Sequence, residues 1–365
     1  MSIAGSSIEA QARTPTLASV VAALRPLAPR IDAEGYYPAD LLRDLGEAGA
    51  YAHHTARLGG GPAGLTTAID AMADVGAWCL STAFCMWCQQ ALVWYLDRAD
   101  NDAPRERYLQ AVATGTTLGG TGLSNPIKAL AGFEPLALKG ERVAGGYRVV
   151  GRLPFVSNIE AGHLFASIFA IEGAPDRYAM AVFTAGADGV DQARNAHFVA
   201  LEGTATSSVL IRNAFVPDDD VLSDDAGRFV PRIRKGFVLL QAGMALGIAR
   251  GAARAMRQDG PGRRLAEHLP LGPDAIDDRI AQLRDRLTSH IRAVEEPDRS
   301  SFLDVLRTRL DLTWLALEAT QAAALQYGAR GYLVGAEAAR RLREAQFVAI
   351  VTPSVKHITA ELARG

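Results

Sequence analysis

The hydrophobic pattern of the chain changes period twice, and this change limits the possible folds more than any other feature. Residues 8–113 follow a helical period. Residues 118–222 contain short apolar runs separated by glycine-rich turns, which are typical of strands. Helical spacing returns from Lys235 onward. The sequence therefore predicts an α+β protein with three domains. They are a helical domain over 1–115, a β-domain over 116–228 and a helical domain over 229–365.

Four segments of the central region have the composition of strands. Residues 143–151 combine a strand, a Gly-Gly turn and a second strand. Further strands are predicted over 166–171, 178–183 and 208–216. Because no helical pattern separates these segments, we expect an antiparallel β-domain.

The C-terminal region predicts four long helices, over 236–258, 275–294, 302–327 and 337–363. In the first of them Gly243, Gly247 and Gly251 recur at every fourth position and lie on one helix face. Glycine destabilises a helix interior by roughly 1 kcal/mol per residue. Three glycines in register therefore indicate a face that needs close approach by another helix or by a flat ligand.

Composition excludes several classes of partner. The 365 residues carry a net charge of -2, with 49% hydrophobic and 21% charged residues, so nothing favours nucleic acid or an anionic membrane as a partner.

The three cysteines cluster at Cys79, Cys85 and Cys88, which is no disulfide framework and fits a reducing cytoplasm. Because Cys85 and Cys88 lie inside the apolar run 80–96, we expect a packed helix there. The N-terminus lacks a signal-peptide pattern, and we expect a soluble cytoplasmic protein.

Three segments near the C-terminus carry a family signature. Residues 327–332 (Tyr-Gly-Ala-Arg-Gly-Tyr), 340–345 (Arg-Arg-Leu-Arg-Glu-Ala) and 350–358 (Ile-Val-Thr-Pro-Ser-Val-Lys-His-Ile) occur in that order. They resemble the C-terminal signature of the acyl-CoA dehydrogenase superfamily, a Gly-Gly-x-Gly-Tyr turn, Glu-Arg-x-x-Arg-Asp-Ala and a Glu-Gly-Thr loop. The resemblance extends over essentially the whole chain. It implies an N-terminal helical domain, a middle antiparallel β-domain and a C-terminal four-helix bundle, assembled as a homodimer or homotetramer.

Two other segments resemble the places where that superfamily contacts a flavin. Leu123-Ser124-Asn125-Pro126 resembles the Leu-Thr/Ser-Glu-Pro segment at the pyrimidine end of the ring. Pro154-Phe155-Val156-Ser157-Asn158 resembles the strand whose aromatic residue lies against the ring and whose hydroxyl approaches N5. Taken singly, each segment also fits a β-domain with a core Phe and turn-forming serines. The resemblance implies FAD, with FMN as the alternative. The cofactor-binding residues it implies are Leu123, Ser124, Phe155, Val156, Ser157, Gly328 and Gly331.

Two other segments depart from the superfamily pattern. Gly203-Thr204-Ala205-Thr206 resembles the close of the β-domain without its Arg, and marks a boundary more than a site. At the position where dehydrogenases bind the FAD pyrophosphate of a neighbouring subunit, residues 257–264 contain no Phe-Gly. Arg263 or Arg264 could still meet a phosphate, whereas a solvated loop is the simpler interpretation.

The superfamily's catalytic base is missing from both of its usual positions. The Glu of the Glu-Gly-Thr loop aligns with Thr352, and no carboxylate lies between Glu344 and Glu361. A second position used by some members aligns with Phe237. Removal of a weakly acidic α-proton needs a carboxylate at hydrogen-bond distance. Ordinary acyl-CoA dehydrogenation is therefore not expected unless another loop supplies the base.

Three functions remain open from the sequence. The first is a flavin-dependent oxidoreductase of the oxygenase type, which uses reduced flavin from a separate reductase and O2 on a small organic substrate. Thr352 and His357 are then the candidate catalytic residues. The second is an acyl-CoA dehydrogenase with a displaced base, and the third is a flavin-free binding scaffold. A dinucleotide fold for NAD is excluded, since no Gly-x-Gly-x-x-Gly lies between a strand and a helix.

Overall fold

The N-terminal region is helical, as the sequence predicts. The computed structural model describes residues 14–260, 263–296 and 298–365, so the predicted helical residues 8–13 lie outside it. Thr16 caps the first helix with its hydroxyl and shares a reciprocal capping box with Ser19. The helices of this region are α1 (Leu17–Glu34), α2 (Ala39–Glu47), α3 (Leu65–Gly76), α4 (Leu80–Asp97) and α5 (Asp102–Ala113).

Helix α4 is buried on every side, which explains its uniformly apolar sequence. Cys79, Cys85 and Cys88 are free and buried, and burial raises the pKa of each thiol. The prediction of a packed helix over 80–96 is confirmed, because α4 spans these residues and all of them are buried. Thiols with a raised pKa are poor nucleophiles at neutral pH.

The central region forms one mixed sheet with the strand order β6-β7-β3-β2-β4-β5-β8, and β1 also pairs with β4. The predicted hairpin and the three other predicted strands are all present. The elements are β1 (Gly119–Thr121), α6 (Ser124–Leu130), β2 (Leu138–Val143), β3 (Gly146–Val156), β4 (Leu164–Ile171), β5 (Tyr178–Thr184), β6 (Val190–Ala193), β7 (Ser207–Pro217) and β8 (Val221–Ser223).

The sheet differs in one respect from the antiparallel expectation. Strand β4 runs parallel to both β1 and β2, while the other pairings are antiparallel. The short helix α6 follows β1 and was not predicted, because its seven residues are too few for a periodic signal. The chain can return in the same direction here because α6 and the β2–β3 hairpin separate β1 from β4.

The C-terminal region has more helices than the sequence predicts. The predicted helix 236–258 begins ten residues earlier and divides at Gln241. The predicted helix 337–363 is two helices, because Pro353 cannot continue the hydrogen-bond ladder. The elements are α7 (Ala226–Leu240), α8 (Ala242–Gln258), α9 (Arg263–Ala266), α10 (Pro273–Arg292), α11 (Arg299–Tyr327), α12 (Glu337–Ile350) and α13 (Val355–Ala363).

The glycine face of α8 lies against a helix, not a flat ligand. A Cβ on Gly243 would lie 2.7 Å from the Cβ of Met72 in α3, and one on Gly247 would lie 2.8 Å from the carbonyl oxygen of Ala73. At Gly251 it would collide with the guanidinium of Arg341. The two helix backbones therefore approach more closely than any side chain would allow.

Two apolar cores organise the molecule. The larger contains side chains from the N-terminal and the C-terminal helices together, and it also takes Ala166 and Ile168 from one face of β4. The smaller lies between strands and takes Phe165 and Phe169 from the other face. Strand β4 is therefore apolar at nearly every position because both of its faces are buried.

Among the described residues, one helical stretch, Ala226–Gln258, is long and apolar enough to cross a membrane by length and composition. In the folded protein, 94% of its apolar window is buried. This is the pattern of a core helix pair.

Candidate flavin site

A cavity of about 310 Å³ opens where α4, the start of α6, the end of β3 and the connection between α12 and α13 meet. We call it the main cavity. Its walls are largely aromatic, and all its polar side chains are hydroxyls apart from one thiol. None of the described residues that line it is Asp, Glu, Lys, Arg or His. The aromatic and polar lining residues are Phe84, Trp87, Phe155, Phe198, Phe237, Phe347, Thr121, Ser124, Ser157, Thr204, Thr206, Thr352 and Cys88.

Ser124 and Thr352 meet at the cavity wall, although 228 positions separate them in the chain. Their hydroxyl oxygens are 2.9 Å apart. Ser124 is the first residue of α6, and Thr352 lies in the connection that follows α12. The structure thus joins the predicted flavin-contacting serine to the residue at the position of the missing catalytic Glu.

A second group of hydroxyls lies at the end of β3. Ser157 Oγ is 2.7 Å from Thr206 Oγ1, which is 2.7 Å from Thr204 Oγ1. Thr204 in turn donates to the carbonyl oxygen of Leu201 at 2.7 Å. Each hydroxyl carries one donor and two acceptor positions, so this group retains capacity for a ligand.

Asn158 is the residue that places Ser157 at the cavity. It is fully buried and has a left-handed backbone with φ 63°, a conformation that Asn tolerates better than most residues. Its side-chain amide donates to the carbonyl oxygen of Gly119 at 2.6 Å and accepts from the hydroxyl of Tyr37 at 2.8 Å. The strand consequently turns out of the sheet here, leaving Val156 in the smaller core and Ser157 at the cavity.

The structure brings only part of the predicted cofactor set to the main cavity. Ser124, Phe155 and Ser157 line it. Leu123 is fully buried in the larger core and Val156 in the smaller one. Gly328 and Gly331 lie in a 3₁₀ turn after α11 and do not line the cavity. A Cβ on Gly331 would lie 2.8 Å from the Cβ of Tyr327, so the turn itself requires this glycine.

Asn125 stands at the position of the Glu in the Leu-Thr/Ser-Glu-Pro segment, and its side chain organises a loop. Its amide donates to Glu134 Oε1 at 2.8 Å and to the carbonyl oxygen of Pro135 at 2.9 Å, and it accepts from the Ala137 amide at 2.8 Å. These bonds fix the segment that leads from α6 into β2. Asn125 itself does not line the main cavity.

Phe237 occupies the second possible base position and does face the main cavity. Its ring packs edge-on against Trp87 with centroids 5.0 Å apart. The indole of Trp87 also donates to the carbonyl oxygen of Phe237 at 3.3 Å. Both positions used for a base in the superfamily therefore reach the cavity, with a hydroxyl at one and an apolar ring at the other.

His357 lies in a different cavity from Thr352. This second space, of about 230 Å³, is separated from the main cavity by Phe237 and by the Thr352–Pro353 step. The His357 ring packs edge-on against Phe133, and its Nε2 is 3.7 Å from Glu361 Oε1. Burial lowers the pKa of His357, with Glu361 opposing that shift. The two predicted catalytic residues therefore do not act at one point.

The second space is positively charged, and we call it the basic cavity. Arg234, Arg299 and Arg364 line it together with the single carboxylate of Glu361. Arg364 donates to the carbonyl oxygen of Ala131 at 2.7 Å. Within the described residues, Arg234 and Arg299 form no salt bridge, and Arg234 Nε is buried without a hydrogen-bond partner. Burial lowers the pKa of Arg234. An anionic group would find two free guanidinium groups here.

Sequence reasoning missed several lining residues. Phe84 and Trp87 come from α4, which had been interpreted only as a core helix. Thr204 and Thr206 also line the main cavity, so the segment 203–206 is more than a domain boundary. The stretch 201–206 is also strained, because Leu201 and Ala205 both have left-handed backbones, with φ 65° and 47°. The hydroxyl pair in the Gly-Thr-Ala-Thr motif was the available signal.

In the region that aligns with the pyrophosphate site of the dehydrogenases, Arg257 is already paired with carboxylates. Its guanidinium donates to Asp274 at 2.7 Å and to Asp277 at 2.6 Å. The side chains of Arg263 and Arg264 lie outside the described part of the chain.

Comparisons with known proteins agree with this architecture. Residues 9–116 match the family described as Acyl-CoA dehydrogenase, N-terminal domain, and no curated protein matches the chain. Butyryl-CoA dehydrogenase from Megasphaera elsdenii is similar in structure, with a TM-score of 0.82 and 16% identity, over 100% of this chain and 99% of that chain.

Two other solved structures are also similar. KijD3, solved with FMN and dTDP-3-amino-2,3,6-trideoxy-4-keto-3-methyl-D-glucose, has a TM-score of 0.79 and 23% identity, over 95% of this chain and 91% of that chain. A nitrososynthase from Micromonospora carbonacea var. africana has a TM-score of 0.76 and 18% identity, over 95% of this chain and 94% of that chain. The chain thus has the acyl-CoA dehydrogenase fold, and its residues 9–116 match the N-terminal domain of that family.

Proposed function

We propose that the protein is a flavin-dependent oxidoreductase that binds FAD, with FMN as the alternative, and places the isoalloxazine ring in the main cavity. The cavity volume of about 310 Å³ is at the lower end of the range for ligand sites. Phe155 and Ile350 line it, yet they are 53% and 68% exposed. A planar ring would cover this apolar surface, which explains why large apolar side chains are left open to solvent.

The hydroxyls at the cavity wall suit the polar edge of such a ring. Ser124 and Thr352 form one pair, and Ser157 with Thr206 forms another. We assign to them the hydrogen bonds that orient the cofactor, and to Phe155 the apolar contact with its face. A bound flavin supplies the capacity to accept or donate two electrons, while these residues bind it, orient it and exclude water.

The single observation that favours oxygenase chemistry is the lack of a base in the main cavity. None of its described lining residues is a carboxylate or a histidine, and Thr352 and Phe237 stand at the two base positions. Activation of O2 by reduced flavin needs a dry pocket with hydrogen-bond donors. It does not need a strong base. A bound reduced flavin would supply two electrons and two protons, so that one oxygen atom of O2 would enter the substrate and the other would leave as water.

The basic cavity limits the class of substrate. It adjoins the main cavity across Phe237 and Pro353, and it presents Arg234 and Arg299 without a carboxylate partner. We propose a small organic substrate whose reacting part lies against the flavin and whose anionic group, a phosphate or carboxylate, enters the basic cavity. KijD3, a protein of the same fold, was solved with a nucleotide-linked amino sugar. We also propose a homodimer or homotetramer that receives reduced flavin from a separate reductase.

Flavin binding is the first test of this proposal. Titration of the protein with FAD and with FMN should quench flavin fluorescence saturably. Ser157→Ala should weaken binding about 5-fold, the effect of one lost hydrogen bond worth about 1 kcal/mol. Ser289→Ala, on the surface of α10, is the matched control. If the folded protein binds neither flavin, the alternative of a flavin-free scaffold is the one that stands.

Reaction with oxygen is the second test. The protein loaded with reduced flavin is mixed rapidly with oxygenated buffer, and the visible absorbance is followed. We expect reoxidation in more than one phase, with a time course unlike that of free flavin. A single phase identical to free flavin would rule out a pocket that controls the oxygen reaction.

An acyl-CoA dehydrogenase with a displaced base is the second candidate. The basic cavity favours it, because a phosphate-bearing thioester would find the same two guanidinium groups there. Butyryl-CoA dehydrogenase also shares the fold. The two candidates differ in whether a saturated acyl thioester alone reduces the bound flavin.

A further inference from the structure

Arg309 is a buried cation without a buried anion. It lies in the middle of α11 and is 2% exposed. Its Nε donates to Gln241 Oε1 at 2.9 Å, one terminal nitrogen donates to the carbonyl oxygen of Val348 at 2.7 Å, and the other donates to Thr313 Oγ1. All three partners are neutral. Among the described residues no carboxylate forms a salt bridge with it.

This arrangement makes an unfavourable contribution to the free energy of folding. A buried guanidinium loses its hydration, and neutral acceptors do not replace an opposite charge. Burial lowers the pKa of Arg309 to about 10, so the group still carries its proton at neutral pH. Most other buried arginines here have a carboxylate, as Arg340 has Glu344 and Arg341 has Glu337. The exception calls for a role beyond packing.

Two of the three donated bonds lead to one short segment, while the bond to Thr313 stays within α11. Val348 carries one of the last four carbonyls of α12, which have no partner within the helix. Gln241 relays the second bond, since its side-chain nitrogen donates to the carbonyl oxygen of Thr352 at 2.7 Å. Arg309 therefore holds the last turn of α12 directly and, through Gln241, Thr352 in the connection between α12 and α13. That connection carries the Thr352 hydroxyl to Ser124 in the main cavity.

We infer that Arg309 is a positioning residue of the flavin site, which fixes the Thr352 connection against the cavity and favours negatively charged occupants such as anionic reduced flavin. Its charge lies one side chain behind the cavity wall, with Gln241 between. A unit charge roughly 10 Å away, at an effective dielectric constant of about 20, changes a binding constant about tenfold. The electrostatic part of this inference rests on the proposed function, whereas the part that concerns the connection does not.

The experiment compares Arg309→Met, Arg309→Lys and a matched control, Arg307→Met. Arg307 lies on the same helix, but it is exposed and paired with Asp304 at 2.6 Å. The first readout is hydrogen exchange over residues 349–354 in the flavin-free protein. We expect about tenfold faster exchange in Arg309→Met, a smaller increase in Arg309→Lys and no change in Arg307→Met.

The second readout is the ratio of the dissociation constants for oxidised and reduced flavin. We expect Arg309→Met to lose about tenfold of the preference for reduced flavin, and Arg309→Lys to keep most of it because the charge remains. Gln241→Leu should loosen the connection but keep the preference, and this variant serves if Arg309→Met does not fold. An unchanged ratio with a lower melting temperature would mean that Arg309 is only structural, and would overturn the inference. If no flavin binds to wild type, the proposed function fails while hydrogen exchange still decides whether Arg309 holds the connection.

Discussion

At the residue scale, buried polar side chains join separate elements of the fold through hydrogen bonds to the backbone. Gln89 is an example, since its amide donates to the carbonyl oxygens of Val112 and Thr117 and accepts from the Gly119 amide. It thereby ties α4 to the first strand. Interior amides of this kind are costly unless every bond is made, so their substitution should have large effects.

Asn158 should be among the most sensitive of these residues. Asn158→Ala removes the amide bonds to Gly119 and Tyr37 and places alanine in a left-handed conformation. We expect a loss of about 2–4 kcal/mol in the free energy of unfolding. Asn158→Gly should recover about 1 kcal/mol, because glycine accepts that conformation. Urea unfolding measures both, and a change below about 0.5 kcal/mol in Asn158→Ala would contradict this account.

His54 should make the protein sensitive to acid. Burial, with a contribution from Arg98, lowers its pKa from 6.5 to about 3. Between these two pH values the unfolded chain binds a proton that the native state excludes, so stability is full above pH 6.5 and falls as the pH is lowered. From pH 7 to 4.5 this one group should cost about 2–3 kcal/mol.

The measurement is urea unfolding of wild type and His54→Gln at both pH values. The variant should lose less stability on acidification by about that amount. His197→Gln, at an exposed histidine, should behave like wild type. Equal pH dependence in wild type and His54→Gln would show that His54 is not the responsible group.

At the element scale, the contact between α3 and α8 depends on glycine. A Cβ at position 247 would lie 2.8 Å from both the Ala73 carbonyl oxygen and the Gly76 Cα, and backbone cannot move aside as a side chain can. We expect Gly247→Ala to lower the free energy of unfolding by about 1–3 kcal/mol, despite the better helix propensity of alanine. Gly260→Ala, just after the end of α8, where nothing lies within 4 Å of the added carbon, should be neutral. Thermal unfolding of both decides, and equal melting temperatures would refute the close-contact explanation.

The elements also show what could be predicted from sequence and what could not. Helix α4 and the β2–β3 hairpin were predictable because period and turn residues are local signals. The break before Pro353 was missed because helical spacing resumes after it. Arg309 and Gln241 could not be assigned to the site, since 68 positions separate them and each resembles an ordinary helix residue. Ser124 and Ser157 were found only through family resemblance, and their hydroxyl partners required the fold.

At the scale of the whole molecule, the N-terminal and C-terminal helices form one core. Leu65 and Met72 from α3 belong to the same buried cluster as Leu246 and Leu315 from the later helices. Residues 226–365 expressed alone would expose the face of α8 that normally meets α3. We therefore expect this fragment to show no cooperative urea transition by circular dichroism, whereas the full chain should show one. A sigmoidal transition in the fragment would mean that the C-terminal helices have an independent core.

The chemistry also follows from assembly of the whole chain, because the main cavity is built by residues from all three regions. Thr352, which aligns with the catalytic Glu in the sequence resemblance, is hydrogen-bonded to Ser124 in this cavity. We propose that this replacement removes acyl-thioester dehydrogenation. A restored carboxylate at position 352 should return the missing proton acceptor.

The most direct measurement is anaerobic mixing of the oxidised, flavin-loaded protein with a series of saturated acyl-CoA thioesters, followed at the visible band of the flavin. We expect the wild-type band to persist with every thioester, and we expect Thr352→Glu, which reinstates a base, to lose its band with at least one. Rapid bleaching of the wild-type protein by any of these thioesters would contradict the account and establish a dehydrogenase with its base elsewhere.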